Sequence, residues 1–163
     1  VNIDVKEQDP KTGEEGSIAA HQNNYTVYND AIAIETADIK LSELAVGIGP
    51  FVVGPAVERK TGKSAFTSLA INATEWQSAG WAREKGLYAE VVSDNMALDA
   101  AVNKLAKRLA QSSPEAMAAL KQVFWKGTED WDSLLMERAE MSGTLVLSDY
   151  TKAAIAGFKA GAR

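Results

Sequence analysis

From Asp94 onward the sequence repeats one period, and that period limits what this part of the chain can become. Met96, Leu98, Val102, Leu105 and Leu109 fall on one stripe of a helix whose other face carries Asp94, Asn103, Lys104 and Arg108. Ser113, Pro114 and Glu115 supply an N-cap, a first-position proline and an acidic first turn ahead of Met117, Leu120, Val123 and Phe124, and Gly127 ends that helix. Trp131, Leu134, Leu135 and Arg138 predict a third helix running to about Gly143, and Ser148 with Asp149 can cap a fourth that holds Ala153, Ala154, Ile155 and Phe158. Helices joined by so few residues are expected to pack as neighbours. Their stripes offer more apolar surface than such an array covers alone, so an oligomer is expected.

The earlier residues have no such uniformity. Residues 1–7 alternate, with Val1, Ile3 and Val5 on one side and Asn2, Asp4 and Lys6 on the other, which is the pattern of an edge strand. Residues 8–17 gather Asp9, Pro10, Gly13, Glu14, Glu15 and Gly16, and read as an exposed loop. Tyr25, Val27, Ile32 and Ile34, interrupted by Asn29 and Asp30, fit two short strands around a turn. Residues 47–54 contain three glycines and Pro50, marking backbone that turns sharply or lies close to something else. Pro55 can open a short helix, and Thr74 with Gln77 forms a capping box ahead of Trp76, Ala79, Trp81 and Ala82, with Gly86 as the stop. Residues 87–92 return to strand. The whole is an α/β (α+β) pattern with short N-terminal strands and loops followed by a mostly helical C-terminal region.

Several function classes are excluded at this level. The formal charge of −5 argues against a sequence-independent nucleic-acid binder, which needs a basic face to displace counterions. There is no cysteine, so disulfide frameworks, thiolate nucleophiles and Cys-based zinc sites are out. No stretch approaches the roughly 20 apolar residues of a membrane span, and the start lacks the regions of a signal peptide, so no membrane is expected and the cytoplasm is the default. His21 is the sole histidine and reads as a polar loop residue; no metal site is expected. The glycines of residues 47–54 do not have phosphate-loop or dinucleotide spacing. Trp76, Trp81, Trp125 and Trp131 read as core or interface residues.

Residues 37–54, ADIKLSELAVGIGPFVVG, resemble the crotonase (enoyl-CoA hydratase/isomerase) stretch A-x-F-G-x-P-E-x-x-x-G-x-x-P-G-x-G-G, with Glu43, Gly47, Pro50 and Gly54 in register. Residues 71–75 with Ala79 and Gly80, then residues 86–92, are similar to the family's next segment, and residues 101–116 to its A-x-x-L-A-x-x-[IL]-A-x-x-[SP]-P-x-[AS] run. Three motifs in the family's order over about 125 residues point to the C-terminal half of a crotonase-like fold.

That resemblance implies a lyase or isomerase of fatty-acid metabolism acting on an acyl-CoA thioester, with coenzyme A as part of the substrate and no separate cofactor. It places Glu43 as the catalytic carboxylate, serving as general base and then acid while backbone N–H donors stabilise enolate-like charge on the thioester oxygen. A carboxylate fenced by Leu44, Ala45, Val46 and Ile48 is expected to be poorly solvated, which favours its protonated form. Gly47, Pro50 and Phe51 are implied to line the substrate pocket, and Phe51, Val52 and Val53, standing where the family has glycines, to narrow or reshape it. Phe158 and Lys159 fall near the position where members contact the CoA nucleotide. A homo-oligomer, trimer or hexamer, is implied by the C-terminal helices. The expected division is an atypical strand and loop segment at 1–30, the second half of a crotonase-like core at 31–92 and a helical oligomerisation region at 93–163.

The sequence also departs from the pattern. Hydratases of the family carry a second glutamate and a Gly-Gly-Gly turn shortly before this stretch, and an earlier Gly-Ala-Asp-type motif; residues 16–24 stand there instead and match neither. Two readings follow: an enoyl-CoA hydratase or isomerase whose oxyanion donors come from elsewhere, or a non-catalytic truncated or chimeric fragment that serves as an oligomerising module.

Overall fold

The structure, a computed structural model, describes Asp4–Gln8, Glu15–Ser17 and residues 31–159. His21 and the strand expected around Tyr25 and Val27 lie outside the described residues. Strand β1, Asp4–Gln8, pairs antiparallel with β2, Glu15–Ser17, and on its other side with β4, Ile39–Lys40, where Val5 faces Ile39. The loop expected over residues 8–17 is therefore corrected at Gln8 and at Glu15–Ser17, which are strand, while residues 9–14 lie outside the described residues. Gln8 and Glu15 are partners in an antiparallel ladder, which satisfies backbone groups that a loop would leave to water. A second, parallel pair joins β3, Ile32–Ile34, to β5, Glu90–Val92.

Between those parallel strands the chain makes a crossover of helices, as a parallel pair requires. Helix α1, Gly54–Ile71, begins with Gly54 and takes Pro55 in its first turn, where a missing N–H costs nothing. It is not short: its 18 residues are interrupted only at Gly62, where φ of 79° and ψ of 158° leave the helical region. Val57, Ala65 and Leu69 form its buried face, and burying a leucine as fully as Leu69 contributes about 1.5–3 kcal/mol.

Helix α2, Ala79–Glu84, corrects the expected capping box. Ser78, not Thr74, is the N-cap, its Oγ accepting from Trp81 N–H at 3.1 Å. Gln77 is committed elsewhere, exchanging two 2.8 Å backbone hydrogen bonds with Ile39 and so tying the helix entry to β4. Gly86, at φ 77°, turns the chain out of the helix as expected. The core that results is centred on Ala33, Ile39, Leu41, Val57, Leu69 and Ala82, with Tyr88 buried beside it and donating its hydroxyl to Ala37 carbonyl at 3.1 Å.

Four helices follow: α3, Asn95–Ala110; α4, Pro114–Phe124; α5, Trp131–Val146; and α6, Asp149–Lys159. Asp94 caps α3, Ser113 caps α4 and Ser148 caps α6 through side-chain oxygens that accept from Ala97, Ala116 and Thr151 N–H. Helix α5 runs to Val146, past the glycine at 143 where a stop was expected, because one helical glycine with open space around it costs only about 1 kcal/mol. No residue of α3, α4 or α5 is fully buried, whereas Met96, Val123, Met136 and Leu147 are exposed. Trp125 and Trp131 stack edge to face across the α4–α5 connection, with centroids 5.7 Å apart.

Candidate functional site

Glu43 opens a single 3₁₀ turn, Glu43–Val46, placed directly after buried Leu41 of the core. Ala45 N–H bonds to Ser42 carbonyl, and the turn is stopped by Gly47, whose φ of 82° lets its N–H reach back to the Leu44 carbonyl at 3.1 Å. Ile48 N–H then returns to the Glu43 carbonyl at 3.0 Å. These bonds fix the Glu43 backbone on both sides. The following loop is equally determined: Phe51 N–H bonds to Gly49 carbonyl, and Gly54 N–H to Pro50 carbonyl, both at 2.8 Å.

Three glycines are demanded by close approach. A Cβ on Gly47 would meet Tyr150 Cδ1 at 2.5 Å and Thr151 Oγ1 at 2.8 Å; one on Gly49 would meet the Phe51 ring; one on Gly54 would meet Phe66 Cζ at 2.9 Å. Helix α6 therefore sits on the Glu43 turn, with Thr151 wholly buried at the contact.

Glu43 lines a cavity of about 130 Å³ together with Ile48, Gly49, Pro50, Phe51 and, from α5, Ser142. One of its oxygens, Oε2, is shielded from solvent. The fence differs from the one expected. Leu44 is 44% exposed and faces a neighbouring cavity, while Ala45 and Val46 face a third, because a 3₁₀ turn sends successive side chains about 120° apart. Only Ile48 of the four expected residues lines the cavity that Glu43 lines.

The neighbouring cavity, about 370 Å³, shares the wall formed by Ile48, Gly49, Pro50 and Phe51 and extends to Phe66, Arg138 and Leu145. Gly47 lines this larger cavity, and Pro50 and Phe51 line both. Phe158 is apart from them, 60% exposed, beside Lys40, Ser42 and Ala45 at a cavity of about 400 Å³; Lys159 is exposed. Lys40 Nζ lies 4.5 Å from the centre of the Trp76 ring, a cation–π contact at the edge of the same region. Arg138 and Ser142 were not legible as site residues, although their i, i+4 spacing on α5 was a usable signal that both face one way. Among the described residues no cluster of three His, Cys, Asp or Glu side chains could hold a metal, and no helix is long and apolar enough to cross a membrane.

Comparisons with known proteins bear on this arrangement. The enoyl-CoA hydratase/isomerase family profile matches residues 26–158. A search of curated proteins found no match. Among solved structures, an enoyl-CoA hydratase from Mycobacterium avium is 26% identical with a TM-score of 0.73, covering 81% of this chain and 51% of its own. A carnitinyl-CoA hydratase from Mycobacterium avium is 24% identical with a TM-score of 0.70, covering 81% of this chain and 52% of its own. An enoyl-CoA hydratase/isomerase from Pseudoalteromonas atlantica is 18% identical with a TM-score of 0.73, covering 82% and 54%. The chain thus spans about half the length of these structures, and the last two likenesses establish fold alone. With a family match over most of its length and a crotonase-like fold, the chain belongs to the enoyl-CoA hydratase/isomerase family.

Proposed function

We propose that this chain carries the carboxylate half of an acyl-CoA site, with Glu43 as the general acid and base acting on an enoyl-CoA thioester. The observation that carries the reading is the half-buried Glu43, which opens a hydrogen-bonded turn, has Oε2 shielded from solvent and lines a cavity with residues 48–53 of the following loop and Ser142. A fixed carboxylate in a largely apolar enclosure is what proton transfer at a thioester's α and β carbons needs.

In the forward direction Glu43 takes a proton from water as the water oxygen bonds to the β carbon. The double-bond electrons move toward the thioester carbonyl, whose oxygen gains enolate charge, and the α carbon then receives a proton from the Glu43 carboxyl. Stabilising the enolate requires N–H donors, and these come from a second chain in the assembly. Gly47, Pro50 and Phe51 line the acyl path, and Phe158 with Lys159 contacts the CoA nucleotide. Assembly into an oligomer is supported by the exposure of Phe124, Leu147, Tyr150 and Phe158, and the family resemblance makes that oligomer a trimer or hexamer.

Incubating the chain with crotonyl-CoA and following loss of the enoyl absorbance tests this reading. Measurable hydration supports it. A chain that assembles into oligomers but shows no rate above buffer contradicts catalysis by this chain and favours an oligomerising structural module.

A further inference from the structure

One turn apart on α5, Ser142 and Arg138 face the same loop, Ser142 beside Glu43 in the smaller cavity and Arg138 in the larger one. Nε of Arg138 is buried and has no hydrogen-bond partner among the described residues. A guanidinium stays charged at any ordinary pH and offers its N–H groups in a planar fork that fits a carboxylate. A buried donor left unmatched is destabilising, so the position calls for an acceptor. The nearby walls supply none from their side chains: Leu44, Phe51, Phe66 and Leu145 are apolar. Glu58 lines the same cavity but is exposed, where water and salt weaken its field.

The larger cavity is walled by Gly47, Pro50 and Phe51, the residues assigned to the acyl path, so an acyl group seated there meets Arg138. We propose that Arg138 makes this site selective for thioesters whose acyl chain ends in a carboxylate, held by a charge-assisted hydrogen bond to its guanidinium in the larger cavity. The inference rests on the acyl-CoA reading of the Glu43 site and adds the substrate class to it.

Calorimetric titration of the full chain with adipoyl-CoA and with hexanoyl-CoA, saturated thioesters of equal carbon count, tests it without turnover. The expected result is a Kd for adipoyl-CoA lower by about tenfold or more, as one hydrogen bond to a charged group allows. Arg138→Met, similar in length and apolar, is expected to abolish the preference and to improve hexanoyl-CoA binding. Equal binding of the two thioesters, tighter binding of hexanoyl-CoA, or a preference that survives Arg138→Met overturns the selectivity while leaving the thioester site standing. Binding of neither thioester overturns the acyl-CoA reading itself and the selectivity with it. Should Arg138→Met not fold, the comparison of the two thioesters on the unaltered chain still decides.

Discussion

A Cβ placed on Gly47 would lie 2.8 Å from Thr151 Oγ1, so the residue that ends the Glu43 turn is also the seat of the C-terminal helix. Two demands coincide at that glycine: a φ of 82° and a neighbour too close for any side chain. Gly47→Ala is expected to lower unfolding stability by about 2–4 kcal/mol, the sum of left-handed strain and overpacking. Gly127 is the control, with φ 83° but nothing within 4 Å of its would-be Cβ, so Gly127→Ala is expected to cost only about 1–2 kcal/mol. Urea denaturation of the two variants checks the difference, and equal losses would contradict the packing of α6 on the turn.

The cap of α2 gives a second test. Ser78→Ala removes the oxygen that receives Trp81 N–H and is expected to cost about 1 kcal/mol. Thr74 is exposed and outside the helix, so Thr74→Ala is expected to change stability by less than about 0.5 kcal/mol. The reverse order in thermal melts would restore the capping box that the sequence pattern suggests.

The distance between those two expectations shows what the sequence made legible. Helix-forming stripes and caps at Ser113 and Ser148 were readable because a cap satisfies N–H groups two or three residues away. Glu43, Gly47, Pro50 and Gly54 were singled out by their register with a family motif, and the structure sets them along one 3₁₀ turn and the loop that follows it. The pairing of Ile39 with Gln77, which takes Gln77 out of the capping role, joins residues 38 positions apart and left no local sign. Likewise Ser142 reaches the Glu43 cavity only because α5 and α6 fold back over the turn, and local period cannot announce that. The apolar stripe of α3 was readable as a stripe, yet Met96 and Val102 on it are exposed, so period gave the face and not its cover.

Tyr88 gives the alkaline behaviour. Burial, and secondarily the charge of Asp38, pushes its hydroxyl from the ordinary 10.0 up to about 12. The neutral form is thus favoured in the folded chain. In the unfolded chain the proton leaves near pH 10, so between about 10 and about 12 the unfolded state binds fewer protons and stability falls as pH rises. Below pH 10 this contribution is fully present. Tyr88→Phe should flatten that alkaline decline in pH-dependent melts, and should cost about 1–2 kcal/mol at neutral pH by stranding the Ala37 carbonyl. An unchanged alkaline slope in Tyr88→Phe would contradict the assignment.

The most direct measurement is the rate of crotonyl-CoA hydration by the chain and by Glu43→Gln, which keeps the shape of the side chain and removes its proton transfer. A kcat lowered by about 10²- to 10⁴-fold with KM changed little is expected, as for a group that acts in the transition state. A Glu43→Gln variant that hydrates crotonyl-CoA at the unaltered rate would contradict it.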